Sequence, residues 1–184
     1  MAEETHPVVV VIGGTAGTGK STVGAELTSF FQDKYPGTAF IEGDAIHPQA
    51  NIDKMSRGIP LTDEDRWGWL QDVARISAKS AEHHSGLAIV SCSSLKLKYR
   101  DLMREKEPDT RFAFLFLYAD PDVILQRFAH REGHFMKANM AKSQFADLEL
   151  PKNTEKDAHV LNVDGKDMKT VLHEAIEQAK TWGL

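Results

Sequence analysis

A single cysteine, Cys92, stands in the 184 residues, which excludes an intrachain disulfide framework and suits a reducing compartment. No apolar run approaches the ~20 residues that a membrane helix needs. Met1 to Pro7 carry neither a basic start nor an apolar stretch, so no secretory signal is expected. Positive charge is also scarce: 22 basic against 27 acidic residues leave a formal charge of −5, which argues against binding to a nucleic-acid backbone. It leaves room for a local cluster of cations on a small anion. There is no internal repeat and no low-complexity linker. What remains is the composition of a globular protein, expected in the cytoplasm as one domain spanning residues 1–184.

Apolar runs alternate with segments of helical period. Val8 to Ile12 is a continuous β-branched run ending at Gly13-Gly14, the pattern of a strand buried on both faces. Further strands are predicted at Thr38–Ile41, Leu87–Val90, Phe112–Tyr118 and His159–Val163. Helices are predicted over Ser21–Phe31, Pro48–Met55, Asp63 to about Glu82, about Leu95–Arg104, from Asp120-Pro121 onward, and Asp167–Ala179. In the third of these, Trp67, Leu70, Val73, Ala74 and Ser77 share a face. Strands separated by helices imply a parallel sheet with right-handed crossovers, hence a three-layer α/β/α fold on five strands. Gly133 to Pro151 has weak periodicity and reads as a mobile stretch.

Gly14-Thr15-Ala16-Gly17-Thr18-Gly19-Lys20-Ser21 fits G-x-x-x-x-G-K-[ST], between a strand and a helix as that pattern requires. Glycines let successive N–H groups turn into one concavity, and the helix that follows adds its dipole and unpaired N–H groups. Lys20 is expected on the β- and γ-phosphates of ATP, Ser21 on Mg²⁺, and Thr22 at the end of the nucleotide-binding stretch.

Ligands of α/β sheets bind beyond the carboxyl ends of the strands. The second strand ends at Glu42-Gly43-Asp44. Asp44 there either joins the metal shell, accepts the proton of an acceptor hydroxyl, or caps the helix near Pro48. His47 and Asn51 lie four apart, as do Asn51 and Met55. Arg66 follows three acids, either as a ligand for an anionic substrate or in an ion pair with one of them. At the end of the third strand, Ser93 and Ser94 precede Lys96 and Arg100, which share a helix face and could hold a carboxylate. Cys92 reads as a buried small residue. No acid ends the third strand, so the metal would depend on Ser21, the phosphates and Asp44.

Arg127 and Arg131 fall four apart before Gly133. A closing arginine stabilises the charge of a transferring phosphoryl group, and a closing segment excludes water. Arg131 is the candidate for that part and Gly133 for the hinge of a lid over about 131–150. Arg127 could instead stack on adenine, or either arginine could complement the helix dipole.

Taken together, several blocks resemble the gluconokinases, small P-loop sugar-acid kinases related to shikimate and nucleoside-monophosphate kinases. They are Gly43-Asp44, His47-Pro48, Asn51, Lys54-Met55, Gly58, Pro60-Leu61, Asp63, Asp65-Arg66 and Trp69-Leu70. Cys92-Ser93, Leu95-Lys96, Tyr99-Arg100-Asp101, Arg131, Gly133-His134-Phe135 and Gln144-Phe145 through Leu148-Glu149 continue the series. The resemblance implies Mg²⁺-dependent phosphorylation of D-gluconate by ATP, a lid, and a homodimer. It adds His134 to the substrate candidates Asp44, His47, Arg66, Ser93, Lys96 and Arg100. Thr15-Ala16 and Ser94 depart from the residues frequent in that family. Two rivals are another small-molecule kinase, acting on shikimate or a nucleoside monophosphate, and a nucleotide-dependent switch.

Overall fold

The structure is a computed structural model that describes residues 5–129 and 135–184, with the backbone alone for 135–137. Arg131, Gly133 and His134 therefore lie outside the described residues.

The chain begins with β1 (Val8–Gly13) and α1 (Lys20–Phe31), then β2 (Phe40–Glu42) and a 3-10 turn (Gly43–Ile46). Next come α2 (Gln49–Ser56), α3 (Asp63–His83), β3 (Leu87–Ser91), α4 (Leu97–Lys106), β4 (Arg111–Tyr118) and α5 (Pro121–Ala129). α6 (Phe135–Asp147), β5 (Ala158–Asn162) and α7 (Met168–Thr181) complete it. The five strands are all parallel, in the order β2-β3-β1-β4-β5.

The period-2 alternation of a strand divides β1 between two cores. Val8, Val10 and Ile12 pack with Val23 and Leu27 of α1 and Val171 and Ala175 of α7. Val9 and Val11 face Trp69, Leu70 and Val73 of α3 and Tyr99 and Met103 of α4. Apolar burial on both faces is why β1 is a continuous β-branched run, and it produces the three layers.

α3 starts sharply because Thr62 and Asp65 form a capping box: the Thr62 hydroxyl accepts from Asp65 N, and the Asp65 carboxylate accepts from Thr62 N. Its buried face differs from the predicted stripe. Arg66 and Trp69 are buried on it, whereas Trp67 is only partly buried, edge-on to Tyr99.

Within the weakly periodic stretch, residues 135–147 form α6, for which no helix was predicted. Ala141 is fully buried and Phe145 packs against the core. The helix is held by tertiary contact rather than by an obvious apolar stripe.

Candidate active site

A cleft of about 530 Å³ opens at the carboxyl ends of β1, β2 and β3. Its nucleotide side is the loop between β1 and α1. Gly14 has φ +128, and a Cβ there would fall on the Leu117 carbonyl oxygen, so only glycine fits. The Lys20 ammonium donates to Thr15 O at 2.8 Å, and the Thr18 hydroxyl donates to the same oxygen at 3.0 Å. Ala16, Gly17, Gly19, Lys20, Ser21 and Thr22 line the cleft, while Gly14, Thr15 and Thr18 shape the loop behind them. Burial lowers the pKa of Lys20, opposed by the charges of Asp44 and Glu42. A phosphate chain would restore what burial withdraws from that ammonium.

A strand lies between β1 and β2, and this decides which acid meets Ser21. Glu42 pairs in register with Ser91, which itself pairs with Ile12. The Glu42 carboxylate thereby accepts from the Ser21 hydroxyl at 3.0 Å and from the Ser91 hydroxyl at 2.9 Å. Sequence reasoning missed Glu42. The available signal was a second acid, two residues before Asp44, at a strand's end. A hydroxyl and a carboxylate are hard oxygen donors, which suits Mg²⁺ completed by phosphate and water. Among the described residues no cluster of three or more acids, histidines or cysteines could cage a metal alone. Gly43 permits this close approach, since a Cβ there would land on the Ser91 carbonyl oxygen.

Asp44 lines the same cleft from the 3-10 turn, its side chain 85% exposed. It caps no helix: Pro48 occupies the N-cap of α2. His47 is buried against Trp69, ring centroids 4.0 Å apart and nearly parallel. Its pKa is lowered by burial first, with Arg66 acting in the same direction and Asp44 in the opposite one. Arg66 lines the cleft although nearly buried, its Nη1 donating to Tyr99 Oη and to Asp147, both at 2.9 Å. Burial works against its charge, but those bonds outweigh it and raise the pKa. Ser93 also lines the cleft. Burial pushes the Cys92 thiol up to about 12, which leaves no thiolate for chemistry.

Two predicted substrate residues are not part of this cleft. Arg100 is 1% exposed, with Nε and Nη2 on the Glu155 carboxylate and its remaining donors on the carbonyls of Ser94, Leu95 and Glu149. Its helix face turns inward, so the guanidinium cross-links the fold. Lys96, at the N-cap of α4, donates to Asp63 at 3.0 Å. Two of the three acids that precede Arg66 are paired locally: Asp63 also binds Lys98 and Tyr99, and Asp65 binds Lys54.

Arg127 donates to Gly17 O at 2.7 Å, on the nucleotide side. α6 lines the cleft through Met140 and Gln144. Gln144 Oε1 accepts from Ala16 N at 2.7 Å, a contact across 128 residues that no local spacing signals.

Residues 6–164 match the adenylylsulphate kinase family. The chain is 52% identical to a probable gluconokinase of Saccharomyces cerevisiae, covering 94% of this chain and 91% of that one. With the thermoresistant gluconokinase of Escherichia coli the identity is 37%, over 94% and 93% of the two chains. A crystal structure of a gluconokinase from Sinorhizobium meliloti 1021 superposes with a TM-score of 0.76 at 39% identity, covering 94% of this chain and 91% of that one. On this cleft and these matches, the chain belongs to the gluconokinases, ATP-dependent kinases within the adenylylsulphate kinase family.

Proposed function

We propose that the protein transfers the γ-phosphoryl group of ATP to the 6-hydroxyl of D-gluconate, releasing 6-phospho-D-gluconate and ADP. The observation that carries this reading is convergence: loop, Ser21–Glu42 pair, Asp44, His47 and Arg66 share one cleft. N–H groups of Gly17 to Lys20 and the Lys20 ammonium hold the phosphates. Mg²⁺, held by Ser21 and Glu42 with the phosphates, would neutralise the charge of the triphosphate. Asp44 orients the hydroxyl or takes its proton as the new O–P bond forms and the bond to the ADP oxygen breaks. Arg66 faces the acceptor's carboxylate or hydroxyls, with Ser93 beside it. Lys96 and Arg100 do not line the cleft and are left out of this set.

Arg131 and His134 keep the roles that the resemblance implies, transition-state charge and substrate contact. Arg127, on the nucleotide side, is assigned to ATP. Residues 131–150 act as the lid and close the site against water. The reading carries a single-domain enzyme, working in the cytoplasm as a homodimer. No helix among the described residues is long and apolar enough to cross a membrane.

The test is ADP release, measured with Mg²⁺, ATP and each of a panel of acceptors. Release with gluconate, and not with shikimate, nucleoside monophosphates or water, is the expected result. Release without an acceptor would favour a switch, and release only with a nucleotide would move the enzyme to another substrate class.

A further inference from the structure

His47, which lines the acceptor half of the cleft, is backed by Asn51 in a buried polar pair, 8% and 3% exposed. Asn51 Nδ2 lies 2.8 Å from the carbonyl oxygen of Asp65 and 3.1 Å from Nδ1 of His47. A carbonyl oxygen only accepts, so the amide end turned toward Asp65 is the NH₂ group; a flipped amide would set oxygen against oxygen. The second amide hydrogen then meets Nδ1, which must offer a lone pair. In a neutral imidazole the proton consequently resides on Nε2. That nitrogen is on the opposite side of the ring, 3.9 Å from Asp44 Oδ1, and both residues line the cleft.

The ring has little freedom to escape this assignment. Trp69 stacks on it with an interplanar angle of 16°, and Trp69 Nε1 is itself tied to Gly43 O at 2.8 Å. Trp69 fixes the plane and Asn51 fixes the rotation within it. Asp44 from the 3-10 turn and Arg66 from α3 bear on the ring with opposite charge.

We infer that Asn51 is a positioning residue that holds His47 as the Nε2–H tautomer, so that His47 gives the acceptor an uncharged hydrogen-bond donor and takes no proton from it. The acceptor atom it reads must carry a lone pair, as a hydroxyl or carboxylate oxygen of a sugar acid does. Proton acceptance is thereby left to Asp44. The identity of that acceptor rests on the proposed function; the tautomer does not.

Long-range ¹H–¹⁵N spectra of the ¹⁵N-histidine protein above neutral pH test the tautomer directly, the His47 signals being those lost in His47→Gln. A protonated Nε2 and an unprotonated Nδ1 are expected. A protonated Nδ1, or two averaged nitrogens, would overturn the inference. In Asn51→Leu the two nitrogen shifts should move toward one another, and unchanged shifts would remove the positioning role.

Kinetics test the consequence. His47→Phe, which keeps the stack but loses the donor, should raise the gluconate KM about 2- to 10-fold, the worth of one neutral hydrogen bond. His47→Gln, whose amide nitrogen reaches toward the Nε2 position, should recover most of that loss, with the ATP KM unmoved in both. Equal collapse of kcat in the two variants with KM unchanged would make His47 a proton carrier and refute the donor role. If the unaltered protein shows no gluconate-dependent turnover, the substrate reading fails while the spectra still decide the tautomer.

Discussion

Arg100→Met separates a residue that builds the fold from one that binds substrate. Arg100 is essentially without solvent, and its donors are satisfied by Glu155 and three carbonyls. Methionine restores much of the stem's volume but removes a donor from the carbonyls of Ser94 and Glu149, leaves Leu95 O to Glu149 N alone, and leaves Glu155 with Arg104 as its remaining cation. Breaking a buried ion pair from one side costs about 3–5 kcal/mol, and the retained Arg104 contact places this case near the lower end. At about 2–4 °C per kcal/mol for a chain of this size, 3 kcal/mol lowers Tm by roughly 6–12 °C. Urea unfolding followed by tryptophan fluorescence gives the free-energy loss, and ADP release on the folded variant gives KM for gluconate. A large fall in midpoint with KM within about twofold of the parent is expected from the general scale of cross-link loss without ligand loss. An unchanged midpoint with a strongly raised gluconate KM would return Arg100 to the substrate site and refute the reasoning.

Glu42→Gln keeps the shape beside Ser21 but removes the charge, and should raise the Mg²⁺ concentration for half-maximal activity about 10- to 100-fold, read from a metal titration. Asp44→Asn should lower kcat about 10²- to 10⁴-fold while leaving the ATP KM close to its starting value; an unaltered kcat would remove Asp44 from the chemistry. Gln144→Leu removes the side-chain acceptor from Ala16 N and should change the ATP KM while leaving the urea midpoint in place, measured by turnover and unfolding together. Acid should unfold the protein through three paired carboxylates. Lys98 holds Asp63 well below the usual range, Lys54 holds Asp65 at about 2, and Arg100 and Arg104 outweigh burial to lower Glu155. Each has a folded pKa below its unfolded one, so its stabilisation is complete above the ordinary carboxylate range and is lost as pH falls from about 4 toward 2. Urea midpoints taken through that interval should drop steadily, and a flat profile would contradict the pairing.

The phosphate loop was legible in the sequence because its chemistry is local. Gly14 to Ser21 bend and present N–H groups through their own torsions, between one strand and one helix, and no distant residue is needed to set that spacing. The alternation of apolar runs with helical period likewise carried the parallel sheet, since a strand covered on both faces has to be apolar throughout. Asp44 and His47 could be placed at the mouth of the sheet for a similar reason: they follow directly from a strand end, and both line the cleft.

Tertiary structure decided what spacing leaves open. Lys96 and Arg100 share a face by sequence, but whether that face meets a substrate or Asp63 and Glu155 depends on segments 33 and 55 residues away. Glu42 reaches Ser21 only because β3 lies between β1 and β2 and aligns Ser91 with both strands. α6 showed little pattern because its order comes from Ala141 and Phe145 in the core and Gln144 on the loop. Local torsion and periodicity are written in neighbouring residues; the partner of a buried charge is chosen by the packing of the whole chain, where desolvation makes an unpaired choice too costly to persist.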